Sequence, residues 1–409
     1  MRGLDWENFA ALSRRLSSEQ RRALSIAAVT HALLDGYTDL ITIMLPLWQA
    51  EFGLDYAALG ILRSVFVGAM AGPQIPVGML SEKLGAAPVL ALGTALAGLG
   101  YCIAGASSGF VVLVGALFVA GLGASAQHPI ASALVARAFA GPRSLKALGT
   151  YNFAGDIGKM TLPATAALLL LTMAWRPALA ILGALGFVLA AVILLVTPRY
   201  DRAEPVESHA EGKVADQHGR QPSAFALLLA IGILDSATRM GFLLFLPFVL
   251  KDKGASVQTI GVALTLVFAG GAAGKLACTF IGARIGVIGT VWLTESFTAA
   301  GILALAPLPL AAALPLLPLI GVALNGTSSV LYGSVPALVA SQWRTRALGI
   351  FYTGTIGSGA VAPVLYGLVG DALGVWKALA LVAAIVLLTL PLAALLRPAL
   401  PGGYGSSVA

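Results

Sequence analysis

Long apolar runs alternate with short polar breaks along the whole chain. Twelve of the runs are long enough to cross ~30 Å of hydrocarbon as helices, at 24–48, 57–80, 86–106, 110–136, 147–173, 177–197, 224–250, 257–281, 287–306, 311–340, 347–371 and 374–396. Many contain Gly or Pro, which membrane helices tolerate where neighbours satisfy the freed backbone groups. Small residues also let such helices pack closely. The pattern predicts an all-α membrane protein of twelve transmembrane helices.

The two halves read alike. Leu34-Asp35, Leu45-Pro46, Gly53 and Gly60 recur as Leu234-Asp235, Leu246-Pro247, Gly254 and Gly261, with the same spacing from proline to glycine to glycine. Ala147-Leu148-Gly149 with Pro163 recurs as Ala347-Leu348-Gly349 with Pro363. A repeat this long is the duplication of a bundle, not a solenoid period. The expected organisation is a cytosolic segment at 1–22, a six-helix bundle at 23–197, a charged linker at 198–222, a pseudo-symmetric second bundle at 223–396 and a cytosolic tail at 397–409. Residues 1–22 place Leu4, Trp6, Phe9, Leu12 and Leu16 among basic residues, which suits either a surface helix or a disordered tail.

Composition supports the bilayer as solvent. The chain is 58% hydrophobic and only 11% charged, with a mean hydropathy of +0.90, whereas soluble domains carry roughly 25% charged residues. Of the 25 Lys and Arg, Arg176, Lys251, Lys253 and Lys377 fall on one side, and Arg63, Lys159, Arg239 and Lys275 fall inside spans. The rest lie on the side of the N-terminus, which places both termini in the cytosol. That asymmetry accounts for the net charge of +7, leaving no separate basic patch for nucleic acid. Cys102 and Cys278 sit in spans and imply no disulfide framework.

Two fragments resemble enzyme motifs and lack their context. Gly105-Ala106-Ser107-Ser108-Gly109 has the spacing of a nucleophile elbow but lies between membrane helices, without the strand that the motif needs. Gly270 to Lys275 lacks phosphate-loop spacing, and Leu276 stands where a hydroxyl residue would hold magnesium. No catalytic residue, metal site or cofactor is expected.

At the inner end of the second span the chain reads Gly78-Met79-Leu80-Ser81-Glu82-Lys83-Leu84-Gly85. This resembles the signature loop of the major facilitator superfamily, with Glu82 as its acid and Lys83 as its base. The second half keeps Arg284 and Gly286 of that turn and has Ala283 in place of the acid. His31 with Asp35 and Tyr37, Leu45-Pro46 before Phe52-Gly53-Leu54, and His128-Pro129 resemble the branch that contains fosmidomycin-resistance exporters. The resemblance implies a monomeric, proton-coupled antiporter in a bacterial inner membrane, performing efflux of a small molecule by alternating access. Import of an organic anion with protons, or a non-transporting membrane sensor, remain the alternative functions.

Nine charges lie within spans: Asp35, Asp39, Arg63, Asp156, Lys159, Asp235, Arg239, Lys275 and Glu295. Each would cost roughly 2.5–3.5 kcal/mol at the bilayer centre on insertion scales, so they are expected to pair or to face a central cavity. Counting along hairpins levels Asp39 with Arg63 and Asp235 with Lys275, whose first-half counterpart is Gln74. Helix spacing permits Asp156–Lys159 and Asp235–Arg239 pairs. Asp35, with His31, Asp39 and His128, is the candidate proton carrier, and no base is obviously level with it; His128 also suits a helix cap or packing role beside Pro129. Arg63, Gln74, Asp156, Lys159, Asp235, Arg239, Lys275, Tyr37 and Asn325 are candidates for substrate binding or gating. Gly78, Glu82, Lys83, Gly85, Arg284 and Glu295 are assigned to the inner gate, with Glu295 answering Arg284.

Overall fold

The computed structural model describes residues 16–139, 142–198, 222–340 and 343–400. Residues 1–15 of the expected N-terminal segment lie outside them, as do most of the central linker and of the tail, whereas Ser18–Arg22, expected in that segment, are the first residues of α1. Among the described residues the protein is helical and contains no strand. The helices are α1 (Ser18–Phe52), α2 (Tyr56–Ala71), α3 (Gln74–Leu84), α4 (Ala86–Gly105), α5 (Phe110–Ala124), α6 (Gln127–Ala138), α7 (Pro142–Leu169), α8 (Trp175–Val196), α9 (Pro222–Asp252), α10 (Val257–Ala304), α11 (Leu310–Leu338), α12 (Arg344–Leu373), α13 (Val375–Val386) and α14 (Thr389–Leu396).

Each predicted apolar segment coincides with helix, although the breaks differ. The second segment is α2 and α3, bent by 42° where Gly72-Pro73 interrupts the hydrogen-bond ladder. The fourth is α5 and α6, and the last is α13 and α14. The eighth and ninth run together as α10, broken at Gly286, whose φ of 76° only glycine adopts readily. Gly85, at the equivalent turn of the first half, has φ 96°. Among the described residues eight helical spans are long and apolar enough to cross a bilayer, counting α5–α6 and α13–α14 as one span each, and the bent α2–α3 pair makes a ninth.

Helices α1, α4, α5, α7 and α8 pack among themselves, as do α9 to α14. Two seams join these groups: α2 lies along α12, and α7 lies along the first arm of α10. At the end of the molecule where α1 meets α2, one hydrophobic core runs through both groups and includes Trp48, Phe66, Phe245 and Leu264. Asp371 of α12 seals this end. Its Oδ1 accepts from the Tyr56 amide at 2.7 Å and its Oδ2 from the Ala57 amide at 2.9 Å, while Asp55 takes Ala58 N at 2.7 Å. The exposed amides of the α2 N-terminus are thus satisfied largely from across the seam.

Toward the opposite end the core divides. Ala27, Val135, Phe139 and Tyr151 form one cluster in the first group, and Leu228, Val335, Phe351 and Leu396 form another in the second. The groups therefore share one core at one end and have separate cores at the other, with partly exposed polar side chains between them.

Candidate functional site

Asp35 is the hub of the cavity in the first half. Lys159 Nζ lies 3.2 Å and His31 Nε2 3.3 Å from its Oδ2, and His128 Nε2 lies 4.0 Å from its Oδ1. Three bases converge on the acid for which linear counting levelled none. The reason is lateral: α7 passes so close to α1 that a Cβ on Gly158 would overlap the Ala32 carbonyl, and one on Gly155 would sit 2.7 Å from both Asp35 and His31. The glycines bring Lys159 within reach. His128, beside the break between α5 and α6, packs edge-on against His31 with ring centroids 5.3 Å apart.

The hydrogen bonds of His31 fix its chemistry. Its Nδ1 lies 2.8 Å from the Tyr151 carbonyl oxygen, which can only accept, so Nδ1 carries hydrogen. Nε2 then faces a carboxylate oxygen. If His31 is neutral and Asp35 ionised, two acceptors oppose one another; one proton, on Nε2 or on Asp35, turns the contact into a hydrogen bond. Tyr151 also stacks on the imidazole at 4.2 Å and receives a hydrogen bond from Gln127 Nε2 at 3.2 Å. Tyr151 and Gln127 were not identified from the sequence, where nothing distinguishes them from packing residues.

Asp39 pairs with Arg63, as hairpin counting predicts, at 3.3 Å. Arg63 is fully buried, donates to Thr42, and approaches Met240 Sδ of the second half at 3.6 Å. Asp235 pairs with Arg239 at 2.8 Å, as helix spacing permits.

Three expected contacts are replaced. Lys275 does not pair with Asp235; its Nζ lies 2.6 Å from Asp156 Oδ1 across the α7–α10 seam. Counting gives height along a hairpin and not the direction a side chain faces, and α10 turns this face to α7. Asp156 and Lys159 consequently do not pair with each other. They diverge by about 60° around α7, one toward α10 and the other toward α1. Glu295 does not answer Arg284, which is exposed. Glu295 is 1% exposed and lies beside Asp235, because the arm beyond Gly286 turns it into the second half.

Tyr37 lies within the first half, stacked on Tyr101 at 4.5 Å and donating to the Leu182 carbonyl at 2.7 Å. Asn325 on α11 donates to Gly321 O at 3.3 Å and packs over Gly271. Gln74 opens α3 beyond the bend, its Nε2 buried without a partner. Gly78, Glu82 and Lys83 end α3, where Gly85 makes the turn; both charges are exposed, and neither forms a salt bridge among the described residues.

Lys159, His128 and Arg239 keep 30%, 28% and 21% of their side-chain surface exposed, and Lys275 keeps 38%. These polar groups therefore border an accessible space with four bases and matching acids.

Known proteins share this architecture. The chain is 25% identical over 359 residues to a "Probable sulfoacetate transporter" of Cupriavidus necator, covering 80% of this chain and 82% of that protein. It is 25% identical over 371 residues to the fosmidomycin resistance protein of Escherichia coli, covering 85% and 86%. The fold superposes with a TM-score of 0.76 on a bacterial homolog of the human lysosomal transporter Spinster, in an inward-facing and unoccupied conformation, at 15% identity and covering 95% of this chain and 99% of the other. The sequence profile of the Major Facilitator Superfamily matches residues 24–231. Two helix groups joined at one end around a charged cavity are what that match describes in three dimensions: the chain belongs to the major facilitator superfamily and is a multi-pass membrane transporter of small molecules, not an enzyme.

Proposed function

We propose that this protein is a proton-coupled secondary transporter that exports a small organic molecule, its two six-helix halves rocking about the charged cavity. The observation that carries the reading is the His31–Asp35 contact, which needs one proton, with Lys159 competing for the same carboxylate oxygen. Lys159 rides on α7, whose Asp156 is tied to Lys275 of the other half. Relative motion of the halves would shift Lys159 against Asp35. With the cation near, Lys159 neutralises Asp35; with the cation withdrawn, the His31–Asp35 contact is left to a proton. That difference is what couples proton movement to alternating access.

On this reading the joined end faces outward and the open end faces the cytosol, where most Lys and Arg lie. The twelve segments all cross, the linker and both termini are cytosolic, and the protein works as a monomer in a bacterial inner membrane. Export is favoured by the similarity to a protein named for resistance. Proton-linked import of an organic anion is the second reading, favoured by the similarity to a transporter named for sulfoacetate and by Lys159, Lys275 and Arg239 around the cavity.

The deciding experiment is the internal pH of proteoliposomes holding the purified protein, under an imposed proton gradient, as organic anions, phosphonates and drugs are added. Substrate-dependent proton flux is expected, with its sign distinguishing export from import. Ligand binding without flux of protons or solute would sink the transporter mechanism in favour of a sensor.

A further inference from the structure

Asp235 and Glu295 form a buried acid pair that the His31–Asp35 site does not use. Asp235, on α9, is 3% exposed, and Glu295, on the second arm of α10, is 1% exposed. Asp235 Oδ2 accepts from Arg239 Nη2 at 2.8 Å. The remaining Asp235 oxygen, Oδ1, is buried without a donor, and so is Glu295 Oε1. The two side chains are within hydrogen-bonding range of each other.

Two ionised carboxylates in that position have no hydrogen to share, and burying both charges against one guanidinium is costly. A single proton satisfies both oxygens. We propose that Asp235 and Glu295 are a second proton-binding site, in the C-terminal half, holding one proton between them. The proton belongs on Glu295 Oε1 and is donated to Asp235 Oδ1, because the Arg239 guanidinium stabilises the ionised form of Asp235.

The surrounding groups fit this assignment. Arg239 comes from α9, Cys278 from the first arm of α10, and Thr327 and Tyr332 from α11. Lys275 lies near enough to Arg239 for the two cations to repel each other. With Arg239 the pair then carries no net charge. Arg239 is partly exposed to the cavity, so an anion binding there draws its charge away from Asp235 and tightens the pair's hold on the proton. The site thereby links proton binding to anion binding in the second half, independently of whether His31–Asp35 carries the transported proton.

The test is infrared difference spectroscopy of the purified full-length protein in H2O and D2O at neutral pH. A protonated-carboxyl band is expected in the wild type, retained in Asp35→Asn, and lost in both Glu295→Gln and Asp235→Asn. Glu295→Gln keeps a hydrogen-bond donor toward Asp235, so its melting temperature should stay close to wild type. Should Asp235→Asn fail to fold, Glu295→Gln alone decides. Absence of the band in wild type, its persistence in Glu295→Gln, its loss in Asp35→Asn, or its displacement by sodium chloride would each overturn the proposal.

Discussion

Asp35 and Asp235 stand 200 positions apart in duplicated halves, yet they are partnered in opposite ways. Asp35 gathers His31, His128 and Lys159, all bases, the last two keeping 28% and 30% of their side-chain surface exposed. Asp235 has Arg239 on its own helix and a second acid, Glu295, at its back. Position 231, the counterpart of His31, is Ile; position 359, the counterpart of Lys159, is Gly; position 94, in step with Glu295 when Gly85 is set on Gly286, is Thr. Duplication preserved the scaffold and the acid, and divergence of single neighbours gave each acid a different set of partners. In the first half the acid also meets bases from two further helices. In the second, the charge balance is closed within one bundle.

The largest effect should come from removing the close approach that builds the first site. Gly158→Val drives a side chain into the Ala32 backbone and should abolish folded yield in detergent, whereas Ser358→Ala at the matching position of α12 loses only a hydroxyl bond to the Thr355 carbonyl at 2.7 Å and should cost about 1 kcal/mol. Monodisperse yield by size-exclusion chromatography compares the two. Equal yields would show that the halves do not differ in this respect.

Next come the acids themselves. Asp35→Asn should eliminate pH-driven transport while leaving counterflow exchange of substrate, because binding survives and proton linkage does not. Proton-driven uptake unchanged in that variant would remove Asp35 from the coupling role.

The seam gives a smaller effect. Lys275→Met leaves Asp156 an unpaired acid and should destabilise by roughly 1–3 kcal/mol, below the 3–5 typical of fully buried pairs because Lys275 is 38% exposed. The double variant with Asp156→Asn should recover most of that loss in thermal unfolding. Additive losses would dissolve the pair as an energetic unit.

The smallest effect should be at the sealed end. Asp371→Ala removes two caps from α2 and should cost about 0.5–2 kcal/mol, read as roughly 2- to 30-fold faster hydrogen exchange at the amides of residues 56–58. No change there would mean that the cap contributes nothing to closure.

Much of the fold was legible in the sequence because lipid imposes length and hydrophobicity on each helix, so apolar runs and their breaks report directly on the elements. The Asp39–Arg63 and Asp235–Arg239 pairs were legible too, since a short hairpin and a single helical turn leave little freedom. Lys275 with Asp156, Lys159 with Asp35, and Glu295 with Asp235 were not. Each depends on which face one helix turns to another far along the chain, and helix register alone does not say this. Asp371 gave no signal, because an acid capping a distant helix looks like any surface acid until the α2–α12 seam exists.

The amino-acid sequence by itself thus determined the solvent, the helices, the duplication and the set of charges that had to be neutralised inside the membrane. Tertiary structure alone decided who neutralises whom. Packing at Gly155 and Gly158 set the distance between α1 and α7, and the turn at Gly286 set the face that α10 presents. Electrostatic energy in a low-dielectric interior depends on separations of a few ångströms, which packing between helices fixes and linear spacing does not.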